Sequence, residues 1–381
     1  MENIVFRHYR EGDDKQLAKL FNMAFNRGGI GPVRTLKGWV WRYIQSPGFE
    51  PEMCQVAEDI EKNLIVGAVY ANLIEFISLN NKNYLVGDIN DVSCHPEYSK
   101  RGIATKLMKM AIEYMKAKGC DFSILSTGYN GFPRNKIYKK LNYIDIERES
   151  SYMQIPNVYR LIKDIYGIIF LLPVFFILSY LPRFIQKIKM KLNPFYQDFS
   201  FEISYNRKPF EYMRLMNRIL SKYYNGYRGY NKEKFIWERI NVPAKDFKPT
   251  CIVIKKHKKI IGGAAITHRY LYSFKYKIKI RIGYIHEIFL EKNNFKNKQE
   301  LHSGYIYLID KILKAATYRF ISVLLYNSAS RDHDLHLGLK AFHFLKVRDD
   351  VLMMKVLKKH LKIPHFKKPF FIPTYVSLGV P

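Results

Sequence analysis

The sequence predicts an α/β (α+β) protein of two tandem domains, each a mixed, largely antiparallel sheet flanked by helices. Three observations carry this. Residues 85–119 read as a strand, a short basic loop with one glycine, and an amphipathic helix. A shift of 196 residues superimposes Trp41 on Trp237, Ile44 on Ile240, Gly67 on Gly263, Gly87 on Gly283 and Ile89 on Ile285, which marks an internal repeat. A chain of 381 residues exceeds one ordinary domain, and 48% apolar residues suffice for packed cores. The boundaries that follow are residues 1–157 and 199–358 for the two copies, 158–198 for an apolar then basic linker, and 359–381 for a basic, proline-containing tail.

Residues 3–9 alternate as an edge strand, and residues 13–25 place Leu17, Leu20, Phe21 and Ala24 on one helical face. Gly28 to Pro32 break that pattern. Residues 36–44 form a second helix whose Trp39 and Trp41 either fill core or line one side of an acceptor groove. Residues 54–57, 64–73 and 84–94 read as three antiparallel strands separated by charged turns. In the third, period two puts Asp88, Asn90, Val92 and Cys94 on one face and Gly87, Ile89, Asp91 and Ser93 on the other. The following helix carries Met108, Ala111, Ile112 and Met115 on its buried face and stops at Gly119. Its first turn sits on the loop that contains Lys100, Arg101 and Gly102. The opening amides of a helix lack intrahelical partners and carry the positive end of its dipole, so this arrangement is a receptor for phosphate.

The run from Val92 through Ser93, Cys94, His95, Pro96, Glu97 and Tyr98, followed by Ser99, Lys100, Arg101, Gly102, Ile103 and Ala104, resembles the acetyl-CoA signature of the GCN5-related N-acetyltransferase (GNAT) superfamily. That loop is patterned Arg/Gln-x-x-Gly-x-Gly/Ala, and Ser99 departs from it at the first position. Downstream, Tyr138 to Tyr143 resembles the family's Tyr-x-x-x-Gly-Phe turn, with Asn142 for Gly and Tyr143 for Phe. Asn tolerates the left-handed conformation such a helix end requires. The resemblance implies acetyl-CoA as co-substrate, held by Val92, Ser93, Cys94, Lys100, Arg101, Gly102, Ile103, Ala104, Thr105 and Asn130, with Val92 and Cys94 offering strand amides. It also implies Tyr138 as the acid that protonates the departing thiolate. Asp88, six residues before Cys94, matches the position of a glutamate base in histone-acetylating members; Asp91 is the second candidate. No metal is required.

The second copy lacks these features. Around residue 297 it reads Asn294, Phe295, Lys296, Asn297, Lys298, Gln299 and Glu300, without glycine, and the counterpart of Tyr138 falls near Leu339. It is expected to shape the acceptor site without turning over. Asp332, His333, Asp334 and His336 read as a surface loop ahead of any acceptor or metal contact.

The net charge of +30 calls for polyanionic partners: the phosphates of CoA first, then an anionic membrane surface, with nucleic acid behind them. Residues 166–181 are uncharged and are followed by a basic amphipathic segment. Sixteen residues with a central Pro173 are short for a span, which leaves an interfacial anchor or a buried helical linker. The tail packs across the second copy or stays mobile. Cys54, Cys94, Cys120 and Cys251 show no CxxC pair, and the chain begins without a signal-peptide pattern. A reduced, cytoplasmic protein is expected, peripheral at the inner membrane face if the linker docks there. The functional expectation is transfer of an acetyl group from acetyl-CoA to a primary amine. The alternatives are a long acyl-CoA or aminoacyl-tRNA donor, or a non-catalytic membrane- or RNA-binding scaffold.

Overall fold

The computed structural model describes residues 3–25, 33–204, 209–243, 249–273 and 278–372. The glycine-rich break at 28–32 and the tail beyond 372 lie outside them. The strands are β1 (Ile4–His8), β2 (Cys54–Asp59), β3 (Leu64–Leu79), β4 (Lys82–Cys94), β5 (Phe122–Gly128), β6 (Ile144–Gln154), β7 (Phe199–Ser204), β8 (Thr250–Lys256), β9 (Lys259–Ser273), β10 (Ile278–Leu290), β11 (Val323–Ala329) and β12 (Leu345–Val356). They form one 12-stranded sheet in the order β1-β2-β3-β4-β5-β12-β6-β11-β10-β9-β8-β7. Two neighbouring pairs, β4 with β5 and β10 with β11, are parallel; the other neighbours run antiparallel. The sheet is therefore mixed and largely antiparallel, as the strand patterns predict.

Replacing each strand by its repeat partner, β1 by β7 through β6 by β12, reverses the order and leaves it unchanged. The two copies are thus related by a pseudo-twofold axis, with β6 and β12 exchanged across it. Trp41 and Trp237, the repeat-matched pair, stack on each other with ring centroids 5.1 Å apart. Each indole donates to the other's carbonyl, Trp41 Nε1 at 3.3 Å and Trp237 Nε1 at 2.9 Å. Trp39, by contrast, is fully buried core beside Tyr43 and Tyr70.

Helices cover both faces. In the first copy these are α1 (Asp14–Phe25), α2 (Leu36–Arg42) and α3 (Ile103–Ala117). The linker holds α4 (Val158–Asp164) and α5 (Leu172–Leu192), and the second copy has α6 (Pro209–Tyr223), α7 (Lys232–Phe235), α8 (Lys298–Tyr318) and α9 (His333–Ala341). The apolar stripe of α3 predicted from spacing, Met108, Ala111, Ile112 and Met115, packs together with Leu107 onto Val66, Ile89 and Leu125. Gly67 is required there because a Cβ would sit 2.7 Å from Ile103 and 2.9 Å from Leu107. The described part of the tail lies over the other face of the first copy's strands. Phe366, Phe370 and Ile372 join Ile77, Val86, Phe122 and Met354, so this segment packs neither on the second copy alone nor loosely.

Candidate functional site

Strands β4 and β5 pair over Val86 with Phe122, Gly87 with Ser123, and Asp88 with Ile124, and then part. Residues 89–94 of β4 therefore run on beyond the β5 pairing, and the sheet opens between the two strands there. At the same place the register of β4 against β3 slips: Ala68 pairs with Ser93 but Tyr70 with Asn90, leaving Asp91 and Val92 opposite Val69. Asp91 takes φ 47°, a left-handed conformation that aspartate adopts more readily than most residues. This bulge corrects the strict alternation expected from period two. Val92 and Cys94 pack with Ile89 on the α3 side, although they differ from it in parity. Asp88, beyond the bulge, lies with Val86 on the opposite face.

The basic loop follows. A 3-10 turn, Pro96–Tyr98, leads into Lys100 at φ 65° and Gly102 at φ 78°. Ser93 is buried, whereas Lys100, Arg101 and Gly102 are exposed. Nothing lies within 4 Å of a Cβ built on Gly102, so the space above it is open and its positive φ is what calls for glycine. The amide of Lys106 already bonds the Gly102 carbonyl at 3.0 Å. Those of Ile103, Ala104 and Thr105 precede the first helical bond and point out of the helix end. Arg101 lies 4.8 Å over the Tyr98 ring and donates to the Glu97 carbonyl, and Tyr98 in turn donates to Asp59 at 2.6 Å. The loop's cation is thus held in place by the 3-10 turn it follows, which Tyr98 ties to Asp59 in β2.

The second copy serves as an internal control. Its equivalent helix α8 is capped by Asn297, whose side chain accepts from the Glu300 amide at 2.9 Å, and Glu300 adds an acid to the first turn. Side chains have closed the helix end that stays open in the first copy.

Asn130 follows β5 in a cleft of 650 Å³ lined by Gly128, Tyr129, Asn130, Gly131, Lys346, Val347, Arg348 and Asp349. The far wall is the start of β12, contributed by the second copy. Tyr138 closes a wide helical turn, Arg134–Tyr138, that is anchored by the Arg134–Asp145 ion pair. Its ring packs 6.2 Å from that of Tyr143, and burial pushes its phenol well above the usual range. No hydrogen bond among the described residues engages its hydroxyl. Asn142 has φ 63° and ψ 32°, the left-handed helix end foreseen for it.

The two candidate bases have different surroundings. Asp88 pairs with Arg228 at 3.0 Å; Arg228 also contacts Glu75 at 3.2 Å, and Lys234 holds Glu75 at 2.7 Å. Burial raises the Asp88 carboxyl above its usual range, with Arg228 opposing and Glu75 reinforcing the shift. Asp91 is clamped by Arg34 at 2.6 Å, Arg42 at 3.5 Å and the Tyr43 hydroxyl. Burial alone would raise it, but the two guanidiniums prevail and hold it below its ordinary value. The repeat partner of Asp91 is Glu287, at the corresponding register slip of β10. It is bound by Arg239 at 2.8 Å and the Tyr212 hydroxyl at 2.8 Å. A carboxylate clamped by arginine is therefore kept in the copy whose helix end is closed.

Several residues at this site carry no signal in the sequence. Glu149 sits in an ordinary charged strand pattern, yet the exchange of β6 and β12 buries it beside Ser126, which donates at 3.0 Å. Burial, with the nearby carboxylates of Asp350, Asp88 and Glu147, pushes it up to about 8 against the pull of Ser126. Arg228, Lys346 and Arg348 reach the first copy from the second through that same exchange and the loop after α6. The Asp332 cluster is not the expected surface loop: Asp332 is buried and accepts from Tyr224, Asp334 pairs with Lys292, and His336 contacts Ser328. Among the described residues no group of three or more His, Cys, Asp or Glu side chains is placed to hold a metal ion.

The acetyltransferase (GNAT) domain model matches residues 5–144. Solved structures with a similar fold include Saccharomyces cerevisiae N-myristoyltransferase with bound myristoyl-CoA, at TM-score 0.68 and 14% identity over 93% of this chain and 79% of that one. Another of that enzyme, with myristoyl-CoA and inhibitors, gives TM-score 0.67 and 13% identity over 99% and 86%. A GCN5-related N-acetyltransferase from Anabaena variabilis ATCC 29413 gives 0.58 and 13% over 93% and 73%. No curated protein sequence matches the chain.

Proposed function

We propose, from the premise that this chain is a tandem GNAT-fold protein with its GNAT domain at residues 5–144, that it is an acyl-CoA-dependent N-acyltransferase with one working site, in the first copy. The observation that carries this is the coincidence of the β4–β5 splay with an uncapped helix end behind Gly102, set against the capped end in the second copy.

Acyl-CoA supplies an activated thioester carbonyl. In this reading the amides of Ile103, Ala104 and Thr105, with Lys100 and Arg101, bind its pyrophosphate. The β4 edge at Val92, Ser93 and Cys94, beyond the β5 pairing, holds the pantetheine arm and polarises the carbonyl, with Asn130 on the facing side. Asp88 accepts the proton of the attacking amine as the N–C bond forms, its raised carboxyl suiting it to that role. Tyr138 gives a proton to the thiolate as the C–S bond breaks. Asp91 is read as a fold element rather than a base, because its clamp recurs in the second copy.

An acetyl donor is favoured by the packing behind the splay, where Ile89, Leu125, Tyr138 and Tyr143 are all buried in one cluster. A long acyl chain is the second reading, favoured by likeness to N-myristoyltransferase over almost the whole chain. Thiol release from acetyl-CoA and myristoyl-CoA, each offered with a panel of primary amines, separates the two. Asp88→Asn and Tyr138→Phe are expected to lower kcat by roughly 10²–10⁴-fold while acyl-CoA binding persists. Unchanged turnover in both variants would remove the assigned roles.

A further inference from the structure

The linker carries the clearest surface anomaly on the molecule. Between Asp164 and Asp198 the sequence has no acidic residue, and its cations, Arg183, Lys187, Lys189 and Lys191, fall in the second half of α5. One face of α5 is tied down. Ser179 and Pro182 are buried, Arg183 donates to the Pro156 carbonyl at 2.9 Å and to Thr317 at 3.2 Å, and Gln186 donates to the Ala341 carbonyl at 3.3 Å.

The other face is a stripe of Val174, Ile177, Leu181, Phe184, Ile188 and Leu192, spaced three or four residues apart with Ile185 beside Phe184, all exposed, Phe184 by 61% and Leu192 by 76%. A surface helix ordinarily turns its polar side outward. Here the outward side is apolar, and an exposed patch of this kind marks an interaction surface. The lysines are exposed alongside it.

Three occupants can be weighed. Gly167–Leu192 is long and apolar enough to cross a bilayer, but crossing would separate the chain before it from the chain after it. The sheet forbids that, since β6, before the helix, lies between β12 and β11, which follow it. A second copy of the chain would bring the same lysine-flanked stripe against itself, like charge on like. An anionic lipid surface matches both features.

We propose that α5 docks the protein onto an anionic bilayer, lying in the headgroup plane with the stripe toward the acyl region and Lys187, Lys189 and Lys191 among the phosphates. This is independent of the acyl-transfer reading, since none of these residues lines the site in the first copy.

The test is flotation of the full chain with vesicles of phosphatidylcholine alone and of phosphatidylcholine mixed with phosphatidylglycerol, at low and high salt, beside lipid-free sedimentation velocity. The wild type is expected to float with the mixed vesicles. The pair Phe184→Glu and Ile188→Glu abolishes flotation at both salts. Replacing the three lysines by Gln weakens partition to the mixed vesicles on the order of a hundredfold. Because all five positions are exposed, melting temperature and acyl-CoA binding should stay at wild-type values and certify the fold. Failure of the wild type to float with mixed vesicles, or an unaltered partition in the lysine variant, overturns the proposal. So does a lipid-free dimer that the Phe184→Glu, Ile188→Glu pair dissociates, which would make a second copy the occupant.

Discussion

At the scale of single residues, buried carboxylates divide by their partners. Among the described residues Asp91 pairs with two arginines, Asp88 with one that it shares with Glu75, and Glu149 accepts from a serine hydroxyl. Glu149 therefore keeps its proton up to about 8 in the folded chain, against an ordinary 4.5. Between those values the native state binds more protons than the unfolded one, so this group lowers stability as pH rises from about 4.5 to about 8 and keeps it lowered above. The full shift corresponds to at most roughly 5 kcal/mol. Glu149→Gln is expected to raise the melting temperature above pH 8 and to change it little below pH 4.5. An unchanged pH slope in the variant would mean that Glu149 is ionised in the folded chain. Nothing in the sequence around Glu149 announces this, because its burial depends on a strand some two hundred residues away. Gly102, in contrast, is legible, since a lone glycine at a helix start has few uses other than a positive φ or a close approach.

Among elements, the regular ones are the most legible. The stripe of α3 and the edge strand at residues 3–9 follow from local periodicity, and both stand where spacing puts them. The bulge in β4 does not, because a single left-handed residue leaves no periodic trace; it shifts Val92 and Cys94 onto the face opposite the one period two assigns. The recurrence of an arginine-clamped carboxylate at both bulges, Asp91 and Glu287, points to a shared structural cause. It holds the second helical segment after the first strand, α2 in one copy and the turn Ile236–Ile240 that carries Arg239 in the other, against the distorted strand. Asp91→Asn and Glu287→Gln each leave buried arginines uncompensated and are expected to cost about 3–5 kcal/mol, read from the urea midpoint. If Asp91→Asn kept its midpoint and lost only turnover, Asp91 would be the base after all.

For the whole molecule, the repeat is visible in the sequence as a common offset, but the exchange of β6 and β12 is not, since a strand's own residues do not name its neighbours. The exchange makes each copy dependent on the other: β12 lies between β5 and β6, and β6 between β12 and β11. A fragment ending at residue 157 is accordingly expected to show no cooperative unfolding, because β6 loses both neighbours and β5 one; a sharp, reversible transition in that fragment would show that the first copy folds alone. The same exchange brings Lys346 and Arg348 to the first copy, and the loop after α6 brings Arg228, so the second copy contributes walls to a candidate site whose open helix end it does not repeat. That asymmetry within a symmetric fold is the central claim. It is tested most directly by isothermal titration of the full chain with acetyl-CoA and myristoyl-CoA, wild type beside Gly102→Glu. One thioester bound per chain, lost in the variant with the fold intact, is the predicted result. Two bound per chain, or binding that survives Gly102→Glu, would contradict it.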